Sequence, residues 1–170
     1  MPNLYLIGMM GSGKSVTGKR LAALLGTEFV DLDDRIKEKA RLTIPEIFEQ
    51  KGEAFFRGEE TRILRETAAG DTLVVATGGG IILRPENVAW MHGQGKIIYL
   101  ETSLEELWTR LKAKKDRPLL KGDDPRKNLE RLLNERAELY EKACDFKVDT
   151  DGCPADRAAR KILKILEGRS

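Results

Sequence analysis

Residues 8–15 read Gly-Met-Met-Gly-Ser-Gly-Lys-Ser, residue types at a spacing suited to cradling a run of phosphates. Glycines without a Cβ let the backbone turn at positive φ and bring its N–H groups close to phosphate oxygens. Lys14 can neutralise the β- and γ-phosphates, Ser15 can offer its hydroxyl to Mg²⁺, and the N-terminus of a following helix adds favourable partial charge. Gly11, Ser12, Gly13, Lys14, Ser15 and Val16 are therefore the expected nucleotide contacts. A glycine-rich turn beside a surface lysine would share the motif but not its context. The apolar run Leu4-Tyr5-Leu6-Ile7 precedes it, and an amphipathic helix follows, expected to turn Val16, Leu21, Leu24 and Leu25 inward and to stop at Gly26. The motif specifies a nucleoside triphosphate and leaves open what is done with it.

A second group of residues bears on that question. Asp31 and Asp33 close a short strand two positions apart, and different roles are expected of them. Asp31 would then approach Mg²⁺ through water, and Asp33 would accept a hydroxyl proton or hydrogen-bond a diol. Asp33 and Asp34 equally suit a helix N-cap cluster. Gly78-Gly79-Gly80 follows a buried strand, where it is either a flexible turn or a place where a ligand lies directly on the backbone. Arg57 follows the aromatic pair Phe55-Phe56, Arg117 opens the loop Arg117-Pro118-Leu119-Leu120, and Arg136 lies inside an amphipathic helix. Each alone reads as surface charge. Beside a triphosphate site, guanidinium forks match carboxylate or phosphate oxygens, and an arginine on a loop can close over a transferring phosphoryl group. Phe48 and Phe56 fit either the core or the wall of an acceptor site.

The elements that must position these groups follow from periodicity and caps. Short apolar strands are expected at 28–32, 72–77, 96–100 and 146–150, in addition to the first. Helices alternate with them: a short one after Asp33, one capped by Thr43 and Glu46 and ended by Gly52, one from Glu53 to Ala69, and one starting at Pro85. Three more follow, one capped by Ser103 and Glu106, one from Pro125 to Ala143, and one from Pro154 to Leu166. Five strands alternating with helices imply an α/β fold, a central five-stranded parallel sheet between two helical layers, with ligands beyond the carboxyl ends of the strands. The 170 residues suit a single domain spanning 1–170. A charged fraction of 34% with net charge +2 gives no reason to expect a nucleic-acid or membrane partner. Cys144 and Cys153 lack metal-ligand spacing, and no apolar leader or span is evident, so a reduced cytoplasmic protein is expected.

Taken together, these stretches resemble the shikimate kinase family along essentially the whole chain. The residues that carry the resemblance are the phosphate loop 8–15, Asp31-Leu32-Asp33, Gly52-Glu53 with Phe56-Arg57 and Glu60, Gly78-Gly79-Gly80, Arg117-Pro118-Leu119-Leu120, and Arg136 before Leu139-Tyr140. The resemblance implies a nucleoside-monophosphate-kinase-like P-loop fold with a mobile lid at about 112–124 and an acceptor-binding region at about 33–61. It implies ATP-dependent phosphorylation of the 3-hydroxyl of shikimate, on the route to chorismate and the aromatic amino acids. By the same resemblance Asp33, Arg57, Gly79, Gly80 and Arg136 contact shikimate, with Gly78 beside them. Lys14 and Arg117 serve the phosphates, Ser15 and Asp31 the Mg²⁺, and Arg110 and Pro154 flank adenine. ATP and shikimate are the expected partners of a monomer. Two other readings stay open: a kinase of the same fold acting on gluconate or a nucleotide, and a P-loop switch protein that hydrolyses nucleotide to change partners.

Overall fold

The computed structural model describes residues 2–67, 72–112 and 122–168. The strands β1 (Asn3–Ile7), β2 (Glu28–Asp31), β3 (Leu73–Ala76), β4 (Gly95–Glu101) and β5 (Phe146–Asp149) form one parallel sheet in the order β2-β3-β1-β4-β5. The central strand β1 pairs Leu4 with Val74 on one side and with Lys96 on the other. It is buried along its whole length, because helices cover both faces and neither parity of the pleat meets water.

Leu4 and Leu6 pack with Leu21 and Ala22 of α1 (Lys14–Leu25) and with Ala159 and Ile162 of α7 (Ala155–Glu167). Tyr5 and Ile7 face the opposite layer, built from α2 (Leu32–Ala40), α3 (Ile44–Thr67), α4 (Pro85–Gln94), α5 (Leu104–Leu111) and α6 (Pro125–Ala143). The result is the three-layer α/β/α arrangement expected from the alternation of strands and helices. Among the described residues no helix is long and apolar enough to cross a membrane.

Local chemistry sets the helix ends. Thr43 and Glu46 form a reciprocal box at the start of α3: the Thr43 N–H donates to Glu46 Oε2 at 2.7 Å and the Glu46 N–H to Thr43 Oγ1 at 3.4 Å. Ser103 accepts from the Glu106 N–H at 3.3 Å to start α5, and Pro85 and Pro125 open α4 and α6. The two helices expected on either side of Gly52 run into one another as α3, bent where Gly52 leaves helical geometry at φ 82°, ψ 167°. That helix is described to Thr67; residues 68–71, and with them its expected end at Ala69, lie outside the described residues.

Two local expectations need correction. Val16 does not turn inward but is 59% exposed, because the third residue of α1 sits at the mouth of the cleft described below. Strand β2 ends at Asp31, and Leu32 already begins α2. The strand therefore does not reach Asp33, which takes its orientation from the first turn of α2.

Candidate active site

At the carboxyl end of the sheet, β1 runs into a loop whose glycines Gly8, Gly11 and Gly13 have φ of 147°, 83° and 88°. L-residues rarely adopt such values, and the resulting turn presents backbone N–H groups toward the start of α1. Lys14 folds back over the loop, its Nζ donating to the Gly8 and Met9 carbonyls at 2.8 and 2.9 Å. Ser15 Oγ donates to Asp31 Oδ2 at 2.5 Å. Arg110 of α5 braces the loop from outside: Nη1 donates to the Gly11 carbonyl at 3.2 Å and Nη2 to the Thr150 carbonyl at 2.9 Å. Pro154 is the N-cap residue of α7, between Cys153 and Ala155, which line the same cleft.

The helix α2 is capped by Asp31 rather than by Asp33 or Asp34. Asp31 Oδ1 accepts the Asp33 N–H at 3.0 Å and the Asp34 N–H at 3.4 Å, leaving Oδ2 to Ser15. One carboxylate thus closes a helix end and meets the phosphate loop. Asp33, in the first turn of α2, lines the cleft together with Asp31.

The cleft has a volume of about 460 Å³ and continues from the phosphate loop to a second, arginine-lined end. Arg57 and Arg136, from α3 and α6, are 8% and 3% exposed, so neither is the surface charge that most basic residues of this chain supply. Arg57 Nη1 donates to Glu60 Oε2 at 2.5 Å and Nη2 to Glu53 at 3.2 Å. Burial works to lower the Arg57 pKa, yet Glu60 and Glu53 outweigh it and hold the guanidinium above its ordinary value. Arg57 Nε and Arg136 Nη1 are buried without a hydrogen-bond partner. Phe48 and Phe56, ring centroids 4.9 Å apart, form one wall while packing into the core. Gly78, Gly79 and Gly80 form the floor, and a Cβ at Gly80 would collide with the Arg57 guanidinium. That close approach accounts for glycine at this position.

Glu60 lines this end as well, a residue with no task in the sequence reading. It lies one helical turn after Arg57, the spacing of an i,i+3 ion pair. Its side chain is 1% exposed and its Oε1 has no hydrogen-bond partner. Burial pushes the Glu60 carboxyl up to about 7, with Arg57 pulling against it and Asp33 adding to it. Between the ordinary value of 4.5 and about 7, the folded chain holds a proton that the unfolded chain has released. Stability contributed by this group is therefore lost as pH rises through that window and is level above it. Relative to Glu60→Gln, which cannot titrate, the wild type should lose ~3 kcal/mol across the window, taking about 1.4 kcal/mol per pH unit. Urea midpoints of both proteins at about pH 5 and pH 8 measure this; parallel pH profiles would contradict it.

Arg117 and most of the expected lid lie at 113–121, outside the described residues. The remaining expected contacts, on separate elements of the chain, line one cleft or, in the case of Pro154, its edge.

A phosphate loop between β1 and α1 of a parallel sheet, opening on an acceptor end lined by buried arginines, defines a small P-loop kinase of the nucleoside-monophosphate-kinase type. The family model for shikimate kinase matches residues 10–167. Shikimate kinase of Halorhodospira halophila is 41% identical over 98% of this chain and 94% of its own length. The fold superposes over the whole chain on shikimate kinase from Acinetobacter baumannii in complex with shikimate, with TM-score 0.97 and 40% identity over 95% of that chain. It also matches the Aquifex aeolicus shikimate kinase, with TM-score 0.86 and 36% identity over 98% of this chain and 97% of that one. The chain belongs to the shikimate kinase family.

Proposed function

We propose that this protein transfers the γ-phosphoryl group of ATP to the 3-hydroxyl of shikimate, giving shikimate 3-phosphate and ADP, with the site residues in the roles that follow. The observation that carries the acceptor's identity is the pair of buried guanidiniums facing the cleft, each with an unpartnered nitrogen. A buried cation with an open donor is costly unless an anion completes it, and shikimate supplies a carboxylate. Asp33 then receives hydroxyls of the ring, with Gly78, Gly79 and Gly80 beneath it and the phenylalanines against its apolar face.

The nucleotide lies on residues 11–16, with Arg110 and Pro154 toward the adenine. Lys14 moves from the Gly8 and Met9 carbonyls to the phosphates. Mg²⁺ fits the oxygen donors gathered here, a hydroxyl and a carboxylate in contact, since a hard cation held mainly by phosphates and water needs few protein ligands. Ser15 and Asp31 would hold it, and it would neutralise phosphate charge. During transfer the Pγ–O bond to ADP breaks as the bond to the 3-oxygen forms, and Asp33 orients the hydroxyl or takes its proton. Arg117 is assigned to the charge on the transferring group. The reaction needs positioning and electrostatic stabilisation more than covalent help. We place the enzyme in the cytoplasm as a monomer.

Shikimate should stimulate ADP release from ATP, and gluconate or nucleoside monophosphates should not; nucleotide hydrolysis indifferent to shikimate would refute the assignment. The carboxylate contact has its own test. Lysine keeps the charge of Arg136 but not its fork, so Arg136→Lys should raise KM for shikimate roughly tenfold, ~1.4 kcal/mol, while KM for ATP barely moves. An analogue with the carboxylate reduced to an alcohol should be a poor wild-type substrate and lose little more on that mutation. Equal reaction of analogue and shikimate would detach the arginines from the acceptor.

A further inference from the structure

Tyr140 lies one turn after Arg136 on α6, fully buried, its ring stacked on Tyr99 with centroids 5.0 Å apart. A phenol so placed has no water to bond to, and burial raises its pKa, so it stays protonated and needs an acceptor. The acceptor it finds is the Gly79 carbonyl oxygen. Met9 Sδ of the phosphate loop is 3.9 Å from the same hydroxyl. Gly79 in turn lies against that loop: a Cβ placed on it would be 3.4 Å from Met10 N and 3.6 Å from the Gly8 carbonyl oxygen. The Tyr140 hydroxyl therefore sits where the phosphate loop, the glycine floor and the helix carrying Arg136 meet.

The Gly79 carbonyl and the Gly80 N–H belong to one trans peptide and point to opposite sides of it. With glycine at both ends, little steric cost within the peptide opposes rotation of its plane, so a hydrogen bond to its carbonyl helps to set the orientation. Gly80 lines the cleft. Holding the Gly79 oxygen toward Tyr140 turns the Gly80 N–H to the opposite side of that peptide.

We propose that Tyr140 is a positioning residue of the acceptor site, its buried hydroxyl fixing the Gly79–Gly80 peptide so that the Gly80 N–H is a preformed donor to the bound acceptor. The inference rests on shikimate being that acceptor. Removing only the hydroxyl, Tyr140→Phe should raise KM for shikimate about tenfold while KM for ATP and kcat stay within about twofold. A role in packing alone would lower Tm without separating the two KM values. The amide resonance of Gly80 gives a second measurement, made on the wild type and so independent of how the variant folds: saturating shikimate without nucleotide should shift it strongly. An unshifted Gly80 amide, or wild-type KM for shikimate in Tyr140→Phe, overturns the inference while leaving shikimate as substrate. A wild type that shows no shikimate-dependent ADP release would overturn the acceptor assignment and this inference with it.

Discussion

Lys14→Ala should reduce kcat by at least ~10²–10³-fold, the loss typical when one preorganised donor to developing charge is removed. In the structure Lys14 is 9% exposed and its ammonium lies on the Gly8 and Met9 carbonyls. On the proposed reading it waits beside the phosphate loop and moves to the β- and γ-phosphates when nucleotide binds. Removing it leaves two loop carbonyls without that donor but touches none of the apolar packing around β1. The far-UV spectrum and thermal midpoint should thus change far less than the rate. Turnover near wild type in a folded variant would remove Lys14 from the phosphate site; loss of fold alongside activity would make it a brace of the loop.

The phosphate loop was legible because its chemistry is contiguous: eight adjacent residues carry the turn, the charge and the hydroxyl, so no tertiary information is needed to see them. The acceptor end was legible only through the family resemblance. Arg57 and Arg136 sit at ordinary helical positions 79 residues apart, and helical periodicity cannot tell a buried arginine from a solvated one. Burial there is decided by which helix packs against which strand, and that depends on the strand order. Glu60 and Tyr140 had no visible task for the same reason. Each acts through a partner, Arg57 or the Gly79 carbonyl, and only folding supplies that adjacency. Asp31 and Asp33 were both assigned to the strand, whereas β2 ends at Asp31 and Leu32 already opens a helix whose cap is Asp31 itself. Val16 was misplaced because a helix that starts at a ligand site presents its first turn to the ligand whatever its apolarity.

Asp33→Asn should lower kcat by ~10²–10⁴-fold, the range for losing a group that accepts or orients a reacting proton. The amide keeps the size of the carboxylate, so any effect reports charge and acceptor capacity rather than packing. The backbone N–H of Asp33 donates to Asp31, a bond the substitution does not touch, so the cap of α2 and the Ser15 contact at the metal end should persist. KM for ATP should therefore stay close to wild type. Asp33 also adds to the electrostatic burden on Glu60. Neutralising it should make Glu60 more acidic and flatten the stability loss with pH that Glu60 otherwise imposes, a consequence independent of catalysis. A folded Asp33→Asn variant with unchanged kcat would return Asp33 to a helix-terminal role. One with reduced kcat but an unchanged Glu60 titration would keep its part in transfer and deny its coupling to the carboxyl buried behind it.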